Sequence, residues 1–264
     1  MANASDSVSA SASAPTQPNK DSIHVQYRAV LDALLSQEHV FYSPPIGPHK
    51  PLIPQTGENG LPTISSLSLH PVVESLLHIL NCDLPAAHFL CRHAEVEPKW
   101  ESMFVHGILH HIEGDIDNTR AWYGDVKGSD VFQSVWDADE NGVAKNAQSE
   151  DLPEIAKSGW NHYLDRMERY RDRTRKRQEI YGRKQDERKL DLTEVTDWPL
   201  EETLLRETSL WEIKQVLKFC EAKFGVGVVT DAREEFLGRI ESGSEEQAKL
   251  AQSMVTGGEG WRTF

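Results

Sequence analysis

The sequence predicts an all-α fold, a bundle of antiparallel helical hairpins. Three observations carry that expectation. Apolar residues recur in successive segments at the three-and-four spacing of one buried helical face. Capping residues and glycines punctuate those segments as helix start and stop signals. The one strand-like run, GVGVV from Gly225 to Val229, cannot form a sheet alone.

Residues 1–20, MANASDSVSASASAPTQPNK, hold too little apolar surface to order themselves and are expected to be a disordered tail. Residues 21–264 read as one helical domain. Its first helix, DSIHVQYRAVLDALLSQ, puts Ile23, Tyr27, Val30, Leu31, Leu34 and Leu35 on one face, with Asp21 or Ser22 as N-cap. A Pro-rich loop spans 37–69. Its six prolines between Pro44 and Pro62 fix the backbone and remove amide donors, which predicts an extended connection that wraps a neighbouring surface or serves as an interaction arm. Short helices follow: HPVVESLLHILNCD, then DLPAAHFLCRHAEV capped by Asp83, then EPKWESMFVHGILHHIEG and DIDNTRAWYGDVK. Their short connections imply antiparallel neighbours. Residues 127–150 are a polar loop in which SDVFQSVW supplies a turn or two of helix, and 152–190 read as one long charged helix. Next comes TSLWEIKQVLKFCEAKFG, with Ser209 and Glu212 at capping-box spacing and Gly225 at its stop. Two further helices are expected after Thr230 and Ser244.

At 264 residues the chain can bury a core without staples or metals. Its net charge of -14 repels nucleic acid and anionic membrane surfaces, so neither is expected as a partner. The exception is Asp165 to Lys189, where eleven Lys or Arg face six Asp or Glu, a local +5 against -19 elsewhere. A solvated helix laced with opposite-sign pairs accounts for it. The alternative is a basic arm for nucleic acid or nuclear import around Arg173, Arg175, Lys176 and Arg177. Three cysteines, Cys82, Cys91 and Cys220, are an odd number without paired spacing and point to a reducing compartment. The start of the chain has no secretory pattern, and no run of about 18 apolar residues exists to span a membrane. Cytoplasmic localisation is expected, with the nucleus as the alternative.

Functional residues concentrate in MFVHGILHHIEGDIDNTRAWYGDV, Met103 to Val126. Met103, His106, Gly107 and His110 share one helical face, and Gly114 and Asp115 break the pattern. A second helix begins near Ile116 with Asp115 as N-cap, and turns Trp122, Tyr123 and Val126 back toward the first. Gly107, lacking a side chain, lets the two helices approach closely. This stretch resembles one tetratricopeptide helix-turn-helix. The match lies in Gly107, a polar ring at His110, Gly114 and Asp115 at the turn, and Tyr123 at the second-helix aromatic position; Thr119 departs from the small residue of that family. It covers one repeat, with no second copy at a period of about 34 residues, so it implies repeat-like packing and no solenoid. HGILHHIEGDIDNTRAWY is also similar to a group of uncharacterised bacterial and fungal helical proteins with an HGxLHxxEGDxxNxxYWY-like signature, over His88 to Val126 and more faintly in LKFCEAKFG. That resemblance implies a helical fold and a focus on this hairpin, and supplies no activity.

Several familiar chemistries are excluded by pattern. No GxxxxGK phosphate loop, GxGxxG dinucleotide loop or GxSxG nucleophile elbow is present. The zinc-protease helix needs glutamate directly after its first histidine, where this chain has Gly107. DADENG, Asp137 to Gly142, opens like a calcium loop but has Gln148 where the closing glutamate belongs, and reads as an acidic turn. What remains is a histidine cluster, seven of eleven between His70 and His111. His106 and His110, one turn apart, can present two imidazoles to one divalent metal ion, with Glu113 a turn further and a third ligand from His88, Cys91 or His93. In acid–base chemistry the candidates are His106, His110, Glu113, Asp115 and Asp117. Glu113 opposes the dipole at the end of its helix, which marks it for function. Two functions are expected from these features. The first is a non-catalytic module binding a protein or peptide partner through the hairpin and the Pro-rich arm, with no cofactor. The other is a small-molecule hydrolase, lyase or isomerase using the histidines and carboxylates, with or without a divalent metal.

Overall fold

Helix ends follow the local chemistry of the chain. The computed structural model describes residues 20–36, 51, 53–54, 60–95, 97–137, 151–183, 198–232 and 235–236. Among them every regular element is helical: α1 Lys20–Leu35, α2 Pro71–Leu80, α3 Leu84–Ala94, α4 Trp100–Glu113, α5 Ile116–Val126, α6 Asp130–Trp136, α7 Gly159–Arg183 and α8 Trp198–Phe224, with 3-10 turns at Ser65–Leu67 and Ala156–Ser158. The all-α expectation holds. Proline at the first turns of α2 and α3 loses no helical hydrogen bond there, and the His70 and Asp83 side chains cap the two helices by accepting from Val72 N and Ala86 N. Asp115 and Ser129 cap α5 and α6 in the same way. No described helix is long and apolar enough to cross a membrane.

α4 is the central element. Every residue from Glu101 to Ile112 is buried, and α2, α3, α5, α6 and α8 all pack against it. The core around it includes fully buried Tyr27, Phe104, Tyr123, Phe132 and Tyr163, each large side chain contributing about 1.5–3 kcal/mol of transfer free energy. A helix buried all round has no solvent face for its polar groups. Each polar residue on α4 therefore needs an internal partner, and the same condition sets up the site described below.

α4 and α5 form the expected hairpin. Gly114 sits at φ +81° with its N–H turned to the carbonyls of His110 and His111, a conformation that favours glycine. At Gly107 a Cβ would lie 2.9 Å from the Tyr123 ring and 3.0 Å from Trp122 Cβ, so the close approach of the two helices requires glycine. In the Pro-rich segment, Ile53 is buried, and the Asn81 side chain accepts from its N–H at 2.8 Å and donates to its carbonyl at 3.0 Å. Along α7, Arg120 of α5 reaches Asp165 and Glu168 at 2.7 and 3.0 Å, and Arg166 pairs with Glu201 of α8, which accounts for this part of the basic run by ion pairing.

Two boundaries differ from expectation. The long charged helix does not begin at Leu152: Leu152 and Ile155 are buried in an irregular approach, and α7 starts at Gly159, whose φ of +81° ends the preceding turn. Ser209 and Glu212 are not a cap. α8 starts at Trp198 and both lie in its interior, fully buried, because Glu212 is held by tertiary partners that outweigh a local cap. The GVGVV run forms no strand among the described residues; Val229 N–H bonds to the Ser68 carbonyl at 2.7 Å. The expected tail before Lys20, the DADENG turn past Asp137, the chain between α7 and α8, and the helix after Ser244 lie outside the described residues.

Candidate functional site

α3 lies against α4 because Ala87, Cys91 and Ala94 form a small-residue buried face. At the margin of that face His88 points across to the end of α4. Its Nε2 lies 2.9 Å from both carboxylate oxygens of Glu113. From within α4, His110 Nδ1 stands 3.6 Å from Glu113 Oε2. These three residues place donor atoms within 4.8 Å of one another.

A second pair adjoins them. His106, a turn before His110, stacks on it with ring centroids 4.6 Å apart, and its Nδ1 forms an ion pair with Glu95, just past the end of α3. His88 stands nearly edge-on to both rings, at 5.2 Å from His106 and 5.3 Å from His110. The Trp122 ring of α5 closes the far side of His106 at 4.8 Å. Three imidazoles and two carboxylates thus gather between α3, α4 and α5.

Electrostatics within the group are uneven. Burial pushes the His106 imidazole below its ordinary pKa, Glu95 opposes that shift, and the nearby His110 and His88 rings add to it. For Glu113 burial acts upward, but His110 and His88 outweigh it and hold the carboxyl at about 2. Asn118 Nδ2 lies 3.2 Å from His110 Nε2, so in this arrangement Nε2 is the acceptor and Nδ1 carries the proton. His88 Nδ1 and His106 Nε2 are buried with no hydrogen-bond partner. Buried polar atoms are nearly always partnered; His70 Nε2, His78 Nδ1 and His111 Nδ1 share this state, and what sets the present pair apart is that both nitrogens lie in one group of three rings.

The sequence candidates separate cleanly. His106, His110 and Glu113 come together; Asp115 uses its side chain to cap α5, accepting from Asn118 N at 3.2 Å, and Asp117 is exposed on the first turn of α5. Of the possible third ligands, His88 joins the group. Cys91 is buried, and burial pushes its thiol up to about 12, while His93 Nδ1 is taken by the Phe89 carbonyl at 2.6 Å. Glu95 and Asn118 had no signal in sequence spacing. No family model, curated protein or solved structure matches the chain, so geometry alone carries the functional reading.

The donor set suits a transition ion better than a hard cation. Calcium and magnesium take oxygen ligands, whereas imidazole with carboxylate suits zinc and ferrous iron. Ligands about 2.0–2.2 Å from an ion lie about 3.3–3.6 Å apart in a tetrahedron and about 2.8–3.1 Å apart at right angles. The spacings of 2.9 and 3.6 Å around Glu113 fall within that span.

Proposed function

We propose that this chain is a helical metalloprotein in which His88, His110 and Glu113 hold one divalent first-row transition ion, zinc or ferrous iron, for metal-assisted chemistry on a small molecule. The observation that carries the reading is the convergence of these donors, within 4.8 Å, from two helices. Charge supports a single ion: the two carboxylates Glu95 and Glu113 bring the two negative charges that one divalent cation balances when the imidazoles ligate as neutral rings. An uncompensated buried charge would be costly. The Asn118 amide supports it as well, since after rotation its oxygen can accept from His110 Nε2–H while Nδ1 ligates.

At the described residues, two of the features that suggested a peptide-binding module have partners inside the chain. The hairpin faces are filled by Gly107 against Tyr123 and Trp122, and Ile53 of the Pro-rich segment is anchored by Asn81. Elemental analysis and calorimetric titration with Zn²⁺ test the proposal. One ion per chain is expected, with affinity falling by about 100-fold or more in His110→Ala and Glu113→Ala. A purified chain that binds no stoichiometric Zn²⁺ or Fe²⁺ would sink it.

A further inference from the structure

What completes the coordination of the proposed ion decides whether it braces the fold or reacts. A structural zinc site takes four protein donors, and a catalytic one keeps a position for water or substrate. Among the described residues, the ring nearest the set that could give a fourth donor is that of His106, and its Nδ1 is already held by Glu95. The donors within 4.8 Å of one another are those of His88, His110 and Glu113; His106 stands outside them, stacked on His110. Its Nε2 is nonetheless buried and unpartnered, in a side chain only 5% exposed. An imidazole fixed at one nitrogen and unsatisfied at the other, beside an ion with three protein ligands, is arranged to hydrogen-bond a group that arrives on that ion.

Resting on the metal reading above, we infer that the centre is open: the ion keeps a coordination position for water or for a small oxyanion taken up together with one proton, and His106 Nε2, left as an acceptor because Nδ1–H is held by Glu95, shares the proton of that oxygen, with Glu95 as its positioning residue. The fitting substrates are small oxyanions such as a short monocarboxylate. Larger groups are excluded because the His88, His106, His110 and Trp122 rings pack at centroid spacings of 4.6–5.3 Å. Entry is from the side of His88 and Glu113, whose side chains retain 15% and 28% exposure.

The test uses the full chain loaded with Co²⁺ and titrated with azide and with acetate while the visible cobalt bands are followed. Both anions are expected to shift the bands. His106→Phe, which keeps ring packing and removes the nitrogens, should retain one Co²⁺ per chain and bind acetate at least about tenfold more weakly, and His106→Gln should recover part of that loss. Bands insensitive to both anions, together with His106→Phe losing Co²⁺ as severely as His110→Ala, would show a closed four-ligand site and overturn the inference. Unchanged acetate affinity in His106→Phe would overturn the role given to His106. A wild-type chain that binds no Co²⁺, Zn²⁺ or Fe²⁺ removes the metal reading itself, whereas one that binds metal and ignores anions removes only the open position.

Discussion

His110 and His111 are adjacent on α4 and serve two different polar groups. His111 turns to the α8 side, where Glu212 is fully buried and accepts from Tyr123 OH at 2.7 Å, Trp136 Nε1 at 2.6 Å and His111 Nε2 at 3.0 Å. Burial, reinforced by Glu212, raises the Tyr123 phenol well above its ordinary pKa and keeps it a donor. Around Glu212 three donors from α4, α5 and α6 saturate one carboxylate of α8. Around Glu113 three rings crowd two carboxylates and leave nitrogens unpartnered. A saturated carboxylate ties elements together; an unsaturated set of rings has capacity left for a ligand. The contrast lies in the carboxylates and not in the rings alone, since His111 Nδ1 at the Glu212 node is also buried without a hydrogen-bond partner.

If Glu212 is the structural node, removing it should produce the largest loss. Glu212→Ala leaves Tyr123 OH, Trp136 Nε1 and His111 Nε2 buried without an acceptor, and is expected to cost about 3–5 kcal/mol in urea unfolding. A loss below about 1 kcal/mol would mean that the two groups do not differ as described. Gly107→Ala comes next. A Cβ 2.9 Å from the Tyr123 ring must push α5 away from α4, an overpacking expected to cost about 1–3 kcal/mol, read as a lower urea midpoint with unchanged slope. Glu113→Ala should be milder in metal-free protein, about 1 kcal/mol or less, because Glu113 and His88 can be hydrated at the surface edge of the site. Its larger effect should be loss of any rise in melting temperature on adding Zn²⁺. Equal destabilisation by Glu113→Ala and Glu212→Ala would erase the contrast.

Much of this architecture is legible in the sequence because it depends on local chemistry. Asp83, Asp115, Gly114 and the prolines opening α2 and α3 mark the helix ends, and the glycine at 107 marks the tight crossing. What sequence cannot show is partnership across the fold. Ser209 and Glu212 have capping-box spacing, yet Glu212 belongs to Tyr123, Trp136 and His111, far away in the chain. Glu113 is visible as a residue at the wrong end of a helix dipole, and the His88 and His110 rings supply the compensation. Glu95 leaves no trace, since its pairing with His106 depends on how the connection between α3 and α4 returns. Asp117 satisfies every spacing rule and still faces solvent. Spacing locates residues on one helix, and chemistry here is assembled from three.

The smallest expected effect is also the most diagnostic, because the two groups should respond differently to acid. His106 lies below 6.5 in the folded chain, mainly through burial, and His70 shifts the same way for the same first reason, against the pull of Glu235. A histidine that resists protonation when folded lets the unfolded chain bind more protons. Its stabilising contribution is therefore present above pH 6.5 and is lost as the pH falls through and below that value. Glu113 acts lower: held at about 2 against 4.5 when free, it stabilises the fold above pH 4.5 and loses that contribution between pH 4.5 and 2. Metal-free protein should thus lose stability in two steps on acidification, followed by urea midpoints at successive pH values. His106→Phe should flatten the upper step and leave the lower one, while Glu113→Gln should flatten the lower one. An upper step that survives unchanged in His106→Phe would assign it to His70 or another histidine, and would mean that the burial of His106 stores no resistance to protonation.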